Sequence, residues 1–129
     1  MSEPYSAVVL DRFARPRNLG RLPDANGRGA AGELSAGDVR IEIAIRVEGG
    51  LIAAARFRTF GCSAAIAASS MATELIEGRP LDEAGSLAPA TITTALGGLP
   101  AARLYAPDMA ASAVHAAVDD YRRAAGAKV

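Results

Sequence analysis

Only one cysteine occurs in this chain of 129 residues, tryptophan is absent, tyrosine and phenylalanine number three each, and neither sign of charge is in excess. Each shortage removes a class of protein. One cysteine cannot close an internal disulfide or complete a CxxC pair. Fourteen basic residues against fourteen acidic ones leave no basic field of the kind that draws a protein to nucleic acid, so no nucleic-acid partner is expected. No apolar stretch reaches the ~20 residues of a membrane-spanning helix, and no apolar run follows a basic start at the amino end. The expectation is a cytoplasmic protein in a reducing setting, with no membrane partner. Walker loop, GxGxxG between strand and helix, GxSxG elbow, HExxH pair and Cys/His cluster are all missing, so local motifs point to no enzyme.

What is present is alanine. Half the residues are hydrophobic while only 5% are aromatic, so the core is expected to form by close backbone approach rather than by bulky side chains. The length suits one domain spanning residues 1–129. Tyr5, Val8, Val9, Arg12 and Phe13 recur at intervals of three and four, which predicts a helix over Pro4 to Ala14 with Ser2 as a cap. Pro16, Asn18 and Gly20 end it. From there to Gly37 alternation is weak, and at most a poor edge strand is expected around Ala30 to Leu34. Val39, Ile41, Ile43, Ile45 and Val47 then alternate with Arg40, Glu42, Ala44 and Arg46, the pattern of a half-buried strand. Glu48 to Gly50 turns the chain into "LIAAARFRTF", and the two runs read as an antiparallel hairpin. After Gly61, Ala65, Ala68, Ala72, Leu75 and Ile76 share a helix face that Gly78 and Pro80 close. Short helices are expected at Leu81 to Ala84 and within "APATITTALGGLP". The last helix is predicted to start at Pro107, with a buried stripe through Met109, Ala113, Val114, Ala117, Val118 and Tyr121. The order of elements is that of an α+β fold, a small antiparallel β-sheet with helices on one face.

Cys62 sits at the corner between the second strand and the following helix, in "TFGCSAAIAASS". A thiol at a helix amino end feels the positive end of the dipole, which favours the thiolate and hence attack or metal ligation. An isolated cysteine is more commonly a small buried apolar residue, so local sequence leaves both readings open. His115, inside the last helix, reads as a hydrogen-bonded structural residue, and Ser69–Ser70 reads as a small-residue packing feature.

Several stretches resemble the U-type iron–sulfur cluster assembly scaffolds, the IscU family and the amino-terminal domain of NifU. They are "YSAVVLDRFARPRNLG" at Tyr5 to Gly20, "AGDV" at Ala36 to Val39, "ARFRTFGCSAAIAASSMATELIEGRPLDEA" at Ala55 to Ala84 and "LPAARLYAPDMAASAVHAAVDDY" at Leu99 to Tyr121. The resemblance implies a scaffold that is not an enzyme, receives sulfur from a cysteine desulfurase, builds a [2Fe–2S] cluster and passes it on with a cluster-transfer chaperone. It also implies a site of three cysteines, an aspartate and a histidine. Carried over position by position, the aspartate falls on Asp38 and the middle cysteine on Cys62, which become the expected metal and cluster ligands. The other three positions hold Ala36, Tyr105 and Ala106. A [2Fe–2S] cluster takes four ligands, mostly thiolates, and zinc takes four as well, so one chain is short of donors for either, or for iron. A homodimer pooling two Cys62 and two Asp38 would supply four. The alternative expectation is a ligand-depleted paralogue, an interaction or regulatory module in cluster assembly that holds no metal. The chaperone-recognition stretch is altered to Leu99-Pro100-Ala101-Ala102-Arg103.

Overall fold

The computed structural model describes residues 5–32 and 39–127. Helix α1 covers Ala7–Ala14. Its cap is Ser6, whose Oγ accepts from the Val9 amide at 3.1 Å while its hydroxyl donates to the Leu96 carbonyl. The helix therefore starts after the expected Pro4, because Ser6 satisfies the orphan amide at that point. Ser2 and Pro4 lie outside the described residues. Beyond α1 the chain runs beside the sheet, with the Phe57 amide donating to the Asn18 carbonyl and the Gly20 amide to the Phe57 carbonyl, both at 2.9 Å.

Strands β1 (Gly27–Gly32), β2 (Arg40–Glu48) and β3 (Leu51–Phe60) form one antiparallel sheet in that order. The β2–β3 hairpin turns on Gly49 and Gly50, at φ +58° and +78°, the paired positive angles that a two-residue hairpin turn demands. Ile41, Ile43, Ile45 and Val47 are buried on the inner face of β2, as their alternation predicts. Strand β1 corrects the expectation of a poor edge strand starting at Ala30. It begins at Gly27, and all six residues pair with β2, from Gly27 opposite Ile45 to Gly32 opposite Arg40. Glu33 and Leu34, the rest of that expected strand, lie outside the described residues.

Helices α2 (Ser63–Ile76) and α5 (Tyr105–Ala127) cover the inner face, α2 over β3 and α5 over β1 and β2. Short helices α3 (Leu81–Gly85) and α4 (Pro89–Ala95) fill the connection, followed by a 3-10 turn at Ala101–Arg103. Helix α2 is enclosed on nearly every side: Ala64, Ala65, Ala67, Ala68 and Ala72 are fully buried, which is what allows the backbones to come close. Its buried hydroxyls are satisfied locally. Ser69 Oγ donates to the Ala65 carbonyl at 2.7 Å and accepts from Thr59 Oγ1 at 2.8 Å, and Ser70 Oγ accepts from the Arg17 amide at 2.9 Å. The serine pair thus tethers α2 to its neighbours. Helix α5 starts two residues before the expected Pro107. As the third helical residue, that proline still occupies a position whose amide would have no partner within the helix.

Candidate functional site

Cys62 owes its position to the residue before it. Gly61 has φ +150°, and a Cβ there would lie 2.8 Å from a methyl carbon of Val39, so only glycine lets β3 turn under Val39 into α2. Cys62 follows as the extended N-cap of α2, with its carbonyl accepting from the Ile66 amide at 3.2 Å. The side chain does not cap the helix. Instead Sγ stands 2.7 Å from Tyr105 Oη, at the first residue of α5. Both residues are half-buried. Burial, and next the Cys62 sulfur, push the Tyr105 phenol up to about 12, while the nearby Arg103 guanidinium opposes the rise. The phenol therefore keeps its proton at neutral pH and can donate it in a hydrogen bond to the sulfur.

Leu104, which precedes Tyr105 in the chain, and Phe60, two residues before Cys62 with the Arg58 guanidinium 5.8 Å from its ring centroid, are exposed to 43% and 40%. Leu99 packs against the core and Ala101 and Ala102 are exposed, so the Leu99–Arg103 stretch presents its alanines to solvent just ahead of Tyr105.

Of the residues expected at the site, Cys62 is placed at the surface end of α2, and Asp38 and Ala36 lie outside the described residues. Ala106 is fully buried in the core and offers no donor. His115 Nε2 lies 2.7 Å from the Leu87 carbonyl, the structural bond that ties α5 to the segment after α3. No group of three or more His, Cys, Asp or Glu side chains is placed to hold a metal ion among the described residues. The sequence reading missed Tyr105 as the partner of Cys62. The available signal was that Tyr105 stands where the family resemblance puts a histidine, hence beside the cysteine. No helix among the described residues is long and apolar enough to cross a membrane.

The three-stranded antiparallel sheet with helices on one face is a fold shared with a solved nitrogen-fixing NifU-like amino-terminal structure from Brucella abortus. That match has a TM-score of 0.67 over 92% of this chain and 94% of the other, at 14% identity. The family model of the NifU-like N terminal domain matches residues 4–128, and the chain belongs to that family. Its sequence is 43% identical over 122 residues to the iron-sulfur cluster assembly scaffold protein IscU 1 of Archaeoglobus fulgidus, covering 95% of this chain and 79% of that one. It is 41% identical over 127 residues to the IscU scaffold protein of Azotobacter vinelandii, covering 95% and 97%.

Proposed function

We propose that this chain works as a scaffold-family protein in iron–sulfur cluster assembly, and that the step its own residues support best is acceptance of sulfur at Cys62. The observation that carries this reading is the half-buried Cys62 Sγ set at a helix start, 2.7 Å from a phenol, in a chain whose neighbouring ligand positions are Tyr105 and Ala106. A single thiol suffices for sulfur acceptance. The Cys62 thiolate attacks the outer sulfur of a cysteine desulfurase persulfide, a new S–S bond forms at Cys62, the desulfurase S–S bond breaks, and the desulfurase leaves as its thiolate. One disulfide-type bond replaces another, with no net oxidation. The Tyr105 hydroxyl holds the attacking sulfur in place.

Building the cluster, as cargo, asks for more donors than Cys62 supplies. Asp38 is the second donor in this reading, and two copies of the chain contribute Cys62 and Asp38 twice to reach four. Delivery to a chaperone through the Leu99–Arg103 stretch, a scaffold rather than catalytic role and a cytoplasmic setting complete the reading. Family membership together with retention of Cys62 favours it over a metal-free interaction module.

The test is anaerobic incubation with a cysteine desulfurase, cysteine and iron, followed by mass spectrometry and visible absorption. The wild-type chain is expected to gain the mass of one sulfur atom at Cys62, and Cys62→Ser is expected to gain none. Folded wild type that takes up no sulfur and stays colourless would turn the assignment toward an interaction module.

A further inference from the structure

The sheet face turned away from the helices holds an open hollow of about 580 Å³, lined by Arg21, Arg28, Arg40, Arg56 and Arg58 with, among the described residues, a single carboxylate, Glu42. Strand register produces this concentration. Arg28 on β1 and Arg56 on β3 both stand opposite Ala44 on β2, while Ala30 and Arg58 flank Glu42 in the same way. The two alanines leave a low floor between guanidinium-bearing walls, and the Gly20–Pro23 loop closes one side.

Among the described residues, the carboxylates within reach do not neutralise these walls. Arg40 and Arg58 share Glu42, at 2.9 and 4.0 Å. Arg56 reaches Glu77 outside the hollow at 3.5 Å and the Ala55 carbonyl at 2.8 Å. Arg28 donates to the Leu22 carbonyl at 3.2 Å, a partner without charge. In a chain whose formal charges cancel overall, this face gathers positive charge locally, and low walls of protein around it strengthen the field.

The cations are all arginine. Planar guanidinium forks match pairs of phosphate or carboxylate oxygens, where an ammonium would act only as a point charge. The volume falls in the range of about 300–1,000 Å³ typical of small-molecule sites. Phe57, the one aromatic residue of the lining, is 1% exposed and offers no ring for stacking a base. Recognition here therefore depends on charge and oxygen geometry.

We propose that this hollow binds a compact anion carrying three or more negative charges on phosphate or carboxylate groups. The site is independent of Cys62 and of the sulfur-acceptance reading.

Calorimetric titration of the whole chain with inorganic pyrophosphate and, separately, citrate tests the proposal, with sulfate as a divalent comparison. Saturable binding of pyrophosphate or citrate, tighter than sulfate, is expected, and the tighter of the two identifies phosphate or carboxylate as the preferred group. Joint replacement Arg28→Gln and Arg56→Gln is expected to weaken binding by about tenfold or more, the loss of at least one charge-assisted hydrogen bond. Ala44→Glu, which sets a competing carboxylate between those two arginines, should weaken it similarly while leaving every arginine in place. Arg122→Gln, outside the hollow, should leave affinity unchanged. No saturable binding by either anion, equal binding of sulfate, or an affinity indifferent to Ala44→Glu in a folded protein would overturn the proposal.

Discussion

At the scale of single residues, Tyr105 combines a raised phenol with a direct contact to the chain's one thiol. A phenol that keeps its proton is a poor metal donor but a good hydrogen-bond donor, and its 2.7 Å contact ties the start of α5 to the start of α2 through Cys62. Tyr105→Phe removes one part-buried hydrogen bond and is expected to cost about 0.5–1.5 kcal/mol of stability, measured by urea unfolding. In near-ultraviolet titration the tyrosine that ionises at about 12 should vanish from that variant; its persistence would mean that another tyrosine is responsible. Asp11 is the second residue with a distinct electrostatic signature. Its carboxylate accepts from Arg17 at 2.6 Å, Arg15 at 2.5 Å and Arg12 at 2.7 Å, and Arg17 first, then Arg15, hold it well below the ordinary aspartate value of 3.8. A depressed carboxylate stabilises the fold fully above its unfolded value and loses that contribution as pH falls through the folded one. Asp11→Asn should therefore flatten the decline of stability below about pH 4, and more so at low salt, since the cluster is exposed. Parallel acid limbs for the two proteins would disprove this role.

At the scale of elements, β1 and α5 show where sequence patterning fails and why. The inner positions of β1 are Gly27, Gly29 and Ala31, opposite Ile45, Ile43 and Ile41, so the strand lacks the large apolar residues by which strands are recognised. Close approach of α5 explains that composition. A Cβ at Gly29 would lie 2.3 Å from the Ala117 amide nitrogen and 2.5 Å from the Ala113 carbonyl oxygen, both backbone atoms that cannot rotate aside. Gly29→Val is expected to cost about 1–3 kcal/mol or more through overpacking, seen as a lower urea midpoint. An unchanged midpoint would show that α5 can shift freely over the sheet. By contrast, β2, β3 and α2 were legible, because Ile41 to Val47 alternate and the alanines of α2 recur at helical spacing. The start of α5 was misjudged by two residues, since proline is tolerated throughout the first turn as well as at its first position.

At the scale of the whole molecule, the family fold carries a site built on one thiol. The β3–Gly61–Cys62–α2 corner brings Cys62 to Tyr105, while Ala106 is buried in the core. If fold and ligand set are separable, supplying the ligands implied by family resemblance should let one chain assemble a cluster. The variant Ala36→Cys, Tyr105→His, Ala106→Cys is accordingly expected to yield a stable visible chromophore on anaerobic reconstitution, stronger per chain than wild type and abolished by adding Cys62→Ser. A folded variant no more coloured than wild type would show that these three side chains do not limit cluster assembly on one chain.

The sequence by itself determined the α+β class, the β2–β3 hairpin, the identity of Cys62 as the sole thiol and the family, because these depend on local periodicity and on the order of residues along the chain. Tertiary structure alone decided that Gly27–Gly32 is a strand, that Tyr105 faces the Cys62 sulfur, and that five arginines from four stretches of the chain meet over Ala30 and Ala44. The physical reason is common to all three. Each depends on atoms brought together across the sheet or between helices, which the local period of any one segment does not announce.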